Sequence, residues 1–131
     1  MAASKANLAR LASQGLAPPN LMGVWTNEIG SIMTITVVNG ANFSGTYESD
    51  DGQGGRIRGT LSGISSGETL GWTVSWQPVV DSTTSWTGKF LVDKLTNKID
   101  IYTLWYLSSG DAVVPLWDSF SAGQDTFWQL P

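Results

Sequence analysis

The chain has neither cysteine nor histidine among its 131 residues. The first absence excludes disulfide scaffolding and thiolate metal sites. The second excludes imidazole ligands and the Ser-His and Cys-His couples of nucleophilic catalysis. Charge is scarce as well: 14% of residues are charged and the formal net charge is −4. No basic stripe is therefore available to hold a nucleic acid. No apolar run approaches the length of a membrane span, and the first twenty residues lack the continuous apolar stretch of a secretory signal. These absences predict a soluble protein with no nucleic-acid or membrane partner. Its compartment stays open: cytoplasmic, or secreted with the signal removed.

What the chain does have is apolar and flat. Hydrophobic residues make up 41% and seven are Trp, too much buriable surface for disorder in a chain long enough for one core. Residues 1–22 read as an arm. Ser4 caps a short Ala/Leu helix that ends at Gly15, and Pro18-Pro19 separate it from the rest of the chain. Lys5 and Arg10 give the arm a faint likeness to a mitochondrial transit peptide, but a mobile arm or added leader is the simpler reading.

Residues 23–131 read as a single all-β domain. Strands are predicted at Gly23–Glu28, Ile32–Val37, Asn42–Ser49, Arg56–Ser62, Thr69–Trp76, Ser82–Val92, Lys98–Leu107 and Gly123–Gln129. Asn39-Gly40 marks a hairpin, Asp50–Gly55 a loop, and Ser108–Ala122 a longer connection. Eight short-looped neighbours suit an antiparallel up-and-down β-barrel, with a flat sandwich as the alternative.

Period-two reading groups Trp25 with Asn27, Phe43 with Tyr47, and Trp72 with Val74 and Trp76. It likewise groups Ser82, Thr84, Trp86 and Phe90; Thr103, Trp105 and Leu107; and Asp125 with Phe127. Each set mixes rings with small hydrogen-bonding groups. An ordinary core avoids that mixture because buried polar groups need partners, whereas an aromatic-walled ligand pocket requires it. Tyr102, Leu104 and Tyr106 make the other face of one strand apolar too, which points to burial against another subunit.

Gly23-Val24-Trp25-Thr26-Asn27-Glu28-Ile29-Gly30-Ser31 resembles the opening strand of the avidin and streptavidin family. Five further blocks resemble it in family order: Gly45–Ser49, Leu70–Trp76, Ser82–Gly88, Trp105–Leu107 and Gly123–Phe127. The resemblance implies an eight-stranded barrel, usually tetrameric, that binds biotin without catalysis and needs no cofactor. It implies that Asn27, Ser31 and Tyr47 donate to the ureido oxygen, while Asp125 and Ser82 accept from the ureido N–H groups. Thr84 would meet the ring sulfur. Trp76, Trp86 and Trp105 would form the walls, with Leu107 and Ile29 alongside. Ser49 and the Asp50–Gly55 loop would meet the valeryl carboxylate, and Trp117 would reach into a neighbouring subunit's pocket.

The sequence departs from the family at the loop, where Asp51 replaces an apolar residue and Gln53 an Asn. The connections Gly63–Glu68 and Gln77–Asp81 look short for a tetrameric member. Two rival readings use the same pocket. One is a carbohydrate-binding or structural barrel whose Trp residues stack sugars. The other is a hydrolase with Asp125 as base, which lacks a second carboxylate on the inner face. Asn42-Phe43-Ser44 fits a glycosylation sequon but, without a secretory signal, is expected to stay unmodified, and Asp50-Asp51-Gly52 fails the spacing of a calcium loop.

Overall fold

A computed structural model describes residues 20–93, 95–110 and 116–131; the helix expected before Gly15 lies outside them. Eight strands follow one another: β1 Gly23–Asn27, β2 Ile32–Asn39, β3 Asn42–Asp50, β4 Arg56–Ser66, β5 Thr69–Ser75, β6 Ser82–Val92, β7 Ile99–Ser109 and β8 Phe120–Gln129. Each pairs antiparallel with its sequence neighbours, and β1 pairs with β8, so the sheet closes into the expected barrel rather than a sandwich.

Alternation along the strands sends one face inward. On β5, Leu70, Trp72 and Val74 are buried; on β6, Thr84, Trp86 and Phe90 are buried. Register then aligns the rings across the sheet. Trp72 lies opposite Trp86, and Trp86 lies opposite Trp105. The row ends in glycine on both sides, because Gly63 faces Trp72 and Gly123 faces Trp105. A Cβ at Gly123 would strike the Trp105 ring, and one at Gly63 would strike Phe43. These glycines make room for aromatic side chains.

The strand forecasts need three corrections. Gly63 does not end a strand: β4 runs on to Ser66, so the supposed Gly63–Glu68 connection is mostly paired backbone. The connection drawn from Ser108 to Ala122 is shorter, because Phe120, Ser121 and Ala122 already pair with Ser108, Leu107 and Tyr106. A 3-10 turn, Leu116–Ser119, leads into β8. The β2–β3 hairpin turns on Gly40-Ala41, one residue past the start of the Asn39-Gly40 signal, since Asn39 still pairs with Asn42 and Gly40 takes a positive φ of 61°.

The β2–β3, β4–β5 and β6–β7 loops gather at one end, over Trp25, Ile35, Phe43, Phe90 and Ile101 of the apolar core. Leu21, on the arm side of the predicted boundary, packs into that core, and its carbonyl accepts a hydrogen bond from Trp25 Nε1 at 2.9 Å. The β1–β2, β3–β4 and β5–β6 connections gather at the other end, where the inward residues turn polar.

Candidate ligand pocket

At the polar end, Asn27 closes β1 and organises the turn into β2. Its Oδ1 accepts from Ser31 N at 2.9 Å and Ile29 N at 3.2 Å, while its Nδ2 donates to the Tyr47 hydroxyl at 3.4 Å. The turn thus delivers Ser31 to the barrel interior, where its hydroxyl donates to Ser49 Oγ at 3.4 Å. Tyr47 is held by rings on several sides: Trp76 edge-on at 5.8 Å, Trp86 at 4.8 Å and Phe127 at 6.3 Å. Burial pushes its phenol well above the usual range, so it stays protonated and able to donate.

The opposite wall is indole and carboxyl. Trp76 Nε1 donates to Thr84 Oγ1 at 3.0 Å, and Trp86 Nε1 donates to Asp125 Oδ2 at 3.1 Å. Thr103 Oγ1 anchors the Asp125 backbone carbonyl at 2.9 Å. Burial, and then the neighbouring Glu28 carboxyl, raise the Asp125 pKa, although the Trp86 bond opposes them. Trp72 stacks behind Trp86 at 5.5 Å with 16° between planes, and its Nε1 is buried without a partner.

These groups enclose a cavity of about 190 Å³. Its polar lining is Ser31, Tyr47, Ser49, Thr84 and Asp125; Trp76, Trp86, Trp105, Leu107 and Ile29 supply the apolar walls. Asn27 lies beneath, holding the others. The remaining predicted site residues fall elsewhere. Ser82 sits at the rim and donates to the Ser108 carbonyl at 2.8 Å, so Ser49 rather than Ser82 shares the cavity with Asp125. The Asp51 carboxylate is turned into its own loop, accepting from Gln53 N at 2.8 Å and Gly55 N at 3.0 Å. Neither Asp51 nor Gln53 lines the cavity. Trp117 stands 81% exposed against Phe120, away from its own barrel's cavity.

The chain matches the sequence profile of the Avidin family over residues 16–130. It belongs to that family. Avidin-related protein 4/5 of Gallus gallus is 36% identical over 119 residues, spanning 85% of this chain and 78% of the relative. Avidin of Gallus gallus is 33% identical over 121 residues, with the same coverage of each chain. Among solved structures, a biotin binding protein from chicken superposes with a TM-score of 0.74 at 30% identity, covering 86% of this chain and 97% of that one. Xenavidin superposes at 0.73 and 30% identity, covering 85% and 97%. Avidin-family proteins bind ligands and are not enzymes. Among the described residues, no group of three or more Asp or Glu side chains gathers to hold a metal, and no helix is long and apolar enough to cross a membrane.

Sequence reading misses two neighbours of the pocket. Glu28 follows Asn27, just past the end of β1, and so falls on the outward parity, where periodicity says nothing of a site. Its Oε2 accepts from Thr126 N at 2.9 Å, which brings it beside Asp125. Periodicity does place Trp72 on the inner face, but its stacking behind Trp86 depends on the β5–β6 register, and no local signal sets that.

Proposed function

We propose that this protein binds biotin, one molecule per barrel, and that its role is to sequester the vitamin. The observation that carries the reading is the cavity of about 190 Å³ in which Tyr47, Ser31 and Ser49 stand together, with Asn27 bonded behind them and Asp125 also in the lining. That volume favours a compact bicyclic head over an oligosaccharide. Tyr47 and Ser31, with the Asn27 amide behind them, present donors to a ureido oxygen, where three convergent bonds stabilise charge drawn onto it. Asp125 and Ser49 accept from the two ureido N–H groups, the latter in the role that the family resemblance gives to Ser82. Thr84 meets the ring sulfur. Trp76, Trp86 and Trp105 hold the apolar ring edges, and the tail leaves past Leu107.

The outer face supports assembly into a homo-oligomer, most simply a tetramer. Tyr102, Leu104 and Tyr106 are 44%, 52% and 61% exposed, and the first two line a groove of about 850 Å³ bounded by Thr87, Lys89 and Trp128. In such an assembly, Trp117 serves a neighbour's pocket.

A titration followed by tryptophan emission tests the reading, with quenching expected to saturate at one biotin per chain. The melting temperature should also rise strongly, because a tight ligand binds only the folded state. No thermal shift at saturating biotin ends the proposal, and a shift with glycans alone transfers it to the carbohydrate-binding reading. Trp117→Lys should weaken binding and reduce the sedimenting mass. An unchanged monomer returns Trp117 to its own barrel.

A further inference from the structure

Two carboxyl groups meet at the wall behind the pocket. Asp125 presents its side chain to the cavity from β8, with Oδ2 held by Trp86 Nε1 at 3.1 Å. Glu28, just past the end of β1, accepts from Thr126 N at 2.9 Å and lies within side-chain hydrogen-bonding reach of Asp125. The Asn27↔Phe127 pairing of β1 and β8 brings the two together. Glu28 and Asp125 also both border the outer groove, so the pair has a route to solvent that does not cross the cavity.

Two carboxylates in contact repel, and a single shared proton relieves the repulsion. The surroundings decide which residue keeps it. Burial works against the Glu28 charge, but the backbone N–H groups of Thr126 and Glu28, together with the Asp125 hydroxyl, outweigh it and lower the Glu28 pKa. Asp125 is more enclosed and is pushed the other way. The other titratable or charged groups facing the pair are Tyr47 from β3, which stays neutral, and Lys89 from β6, across the groove.

We infer that Glu28 is a positioning residue for Asp125: in the free barrel it holds the Asp125 carboxyl through one shared proton, which ligand binding expels to solvent. The inference rests on the proposed biotin reading for its ligand. The ligand N–H replaces the proton as the partner of Asp125, so the carboxyl becomes a carboxylate. One proton leaves for water, and no bond other than O–H is broken. Binding is then weakened by acid at a pH where an isolated aspartate would still be ionised.

Two kinds of measurement test this. In the ligand-free protein, the Asp125 carboxyl is titrated by side-chain carbon NMR, in the parent and in Glu28→Gln, whose amide oxygen can still accept from Thr126 N. The midpoint is expected above the ordinary aspartate range in the parent and about one pH unit lower in the variant, as the like charge is removed. Calorimetry of biotin binding to the parent, in buffers of different ionisation enthalpy, should show up to one proton released per site near that midpoint. The acid limb of biotin affinity should move by the same unit in Glu28→Gln, about tenfold in affinity at a fixed acid pH. An ordinary Asp125 midpoint in the parent, an unmoved midpoint in the variant, or binding with no proton released overturns the inference. Absence of biotin binding at any pH overturns the biotin reading instead, and the free-state titration still decides the carboxyl pair. If Glu28→Gln does not fold, the parent titration and proton count decide it alone.

Discussion

Toward one end of the barrel Trp25, Ile35 and Ile101 are fully enclosed members of the apolar core. At the other end the barrel encloses Asn27, Ser31, Thr84 and Asp125, each bonded to a named partner and all but Asn27 lining the cavity. The contrast is a division of labour. Dry packing at the closed end supplies the stability that the open end gives up by burying hydroxyl, amide and carboxyl groups around a space. Strain at the open end is avoided by local bonds, chiefly those of Asn27, rather than by filling.

Substitutions at the two ends should therefore separate stability from binding. Trp25→Ala, at the closed end, is expected to cost about 3–5 kcal/mol in urea unfolding, through a large void and the lost bond to the Leu21 carbonyl. Tyr47→Phe, at the open end, should lower biotin affinity sharply with much less effect on unfolding. If Tyr47→Phe proves the more destabilising of the two, the division is wrong. Asn27→Ala bridges the ends, because it strips the acceptor from Ser31 N and Ile29 N. A loss of about 1–3 kcal/mol should accompany weaker binding, and denaturant midpoints with biotin titrations on one preparation would show both.

Asp125→Asn gives a smaller effect of opposite sign. Asp125 has a folded-state pKa raised above its unfolded value, so it favours the fold fully below the unfolded value of about 3.9, and that advantage is lost as pH rises through the folded value. Asparagine keeps the shape without the charge. The ligand-free variant should therefore melt above the parent at neutral pH, with the gap closing near pH 4, while biotin binding weakens throughout. A pH-independent gap would mean that the Asp125 charge is not what the barrel resists. Smallest of all is Arg56→Ala. Its guanidinium bonds the Gly30 carbonyl at 3.2 Å and faces Glu48 at 3.8 Å, but the side chain is 45% exposed, so less than about 1 kcal/mol is expected, diminishing with salt.

Much of this contrast is legible in the sequence because inward residues recur every second position. That period alone puts Trp25 with Asn27 and Trp72 with Val74 and Trp76. Resemblance to the avidin family then names most of the cavity's lining. The rest depends on register and on loops. Ser82 and Ser49 carry the same hydroxyl on the same face, and only the pairing of β6 with β7 sends Ser82 to the rim. The resemblance aims the Asp51 side chain at an incoming carboxylate. In the structure it caps its own loop, a local bond that competes with any outward aim. Glu28 is invisible for a geometric reason: it stays exposed on the outward side, and only its bond to Thr126 N across the β1–β8 seam brings it beside Asp125.

The seam between β1 and β8 has a consequence for how the chain reaches this state. It is joined by three paired residues, against eleven between β6 and β7. Its side-chain ties span 98 residues at Glu28 and 107 at Gln129. During synthesis β1 thus waits with one edge unpaired until nearly the whole domain has emerged, exposed to any extended segment nearby. Closing so long a loop for so few bonds makes ring closure the natural slow step of folding. A permuted chain that joins β8 directly to β1 and opens at Gly40-Ala41 should fold faster for that reason, with stopped-flow refolding as the measurement.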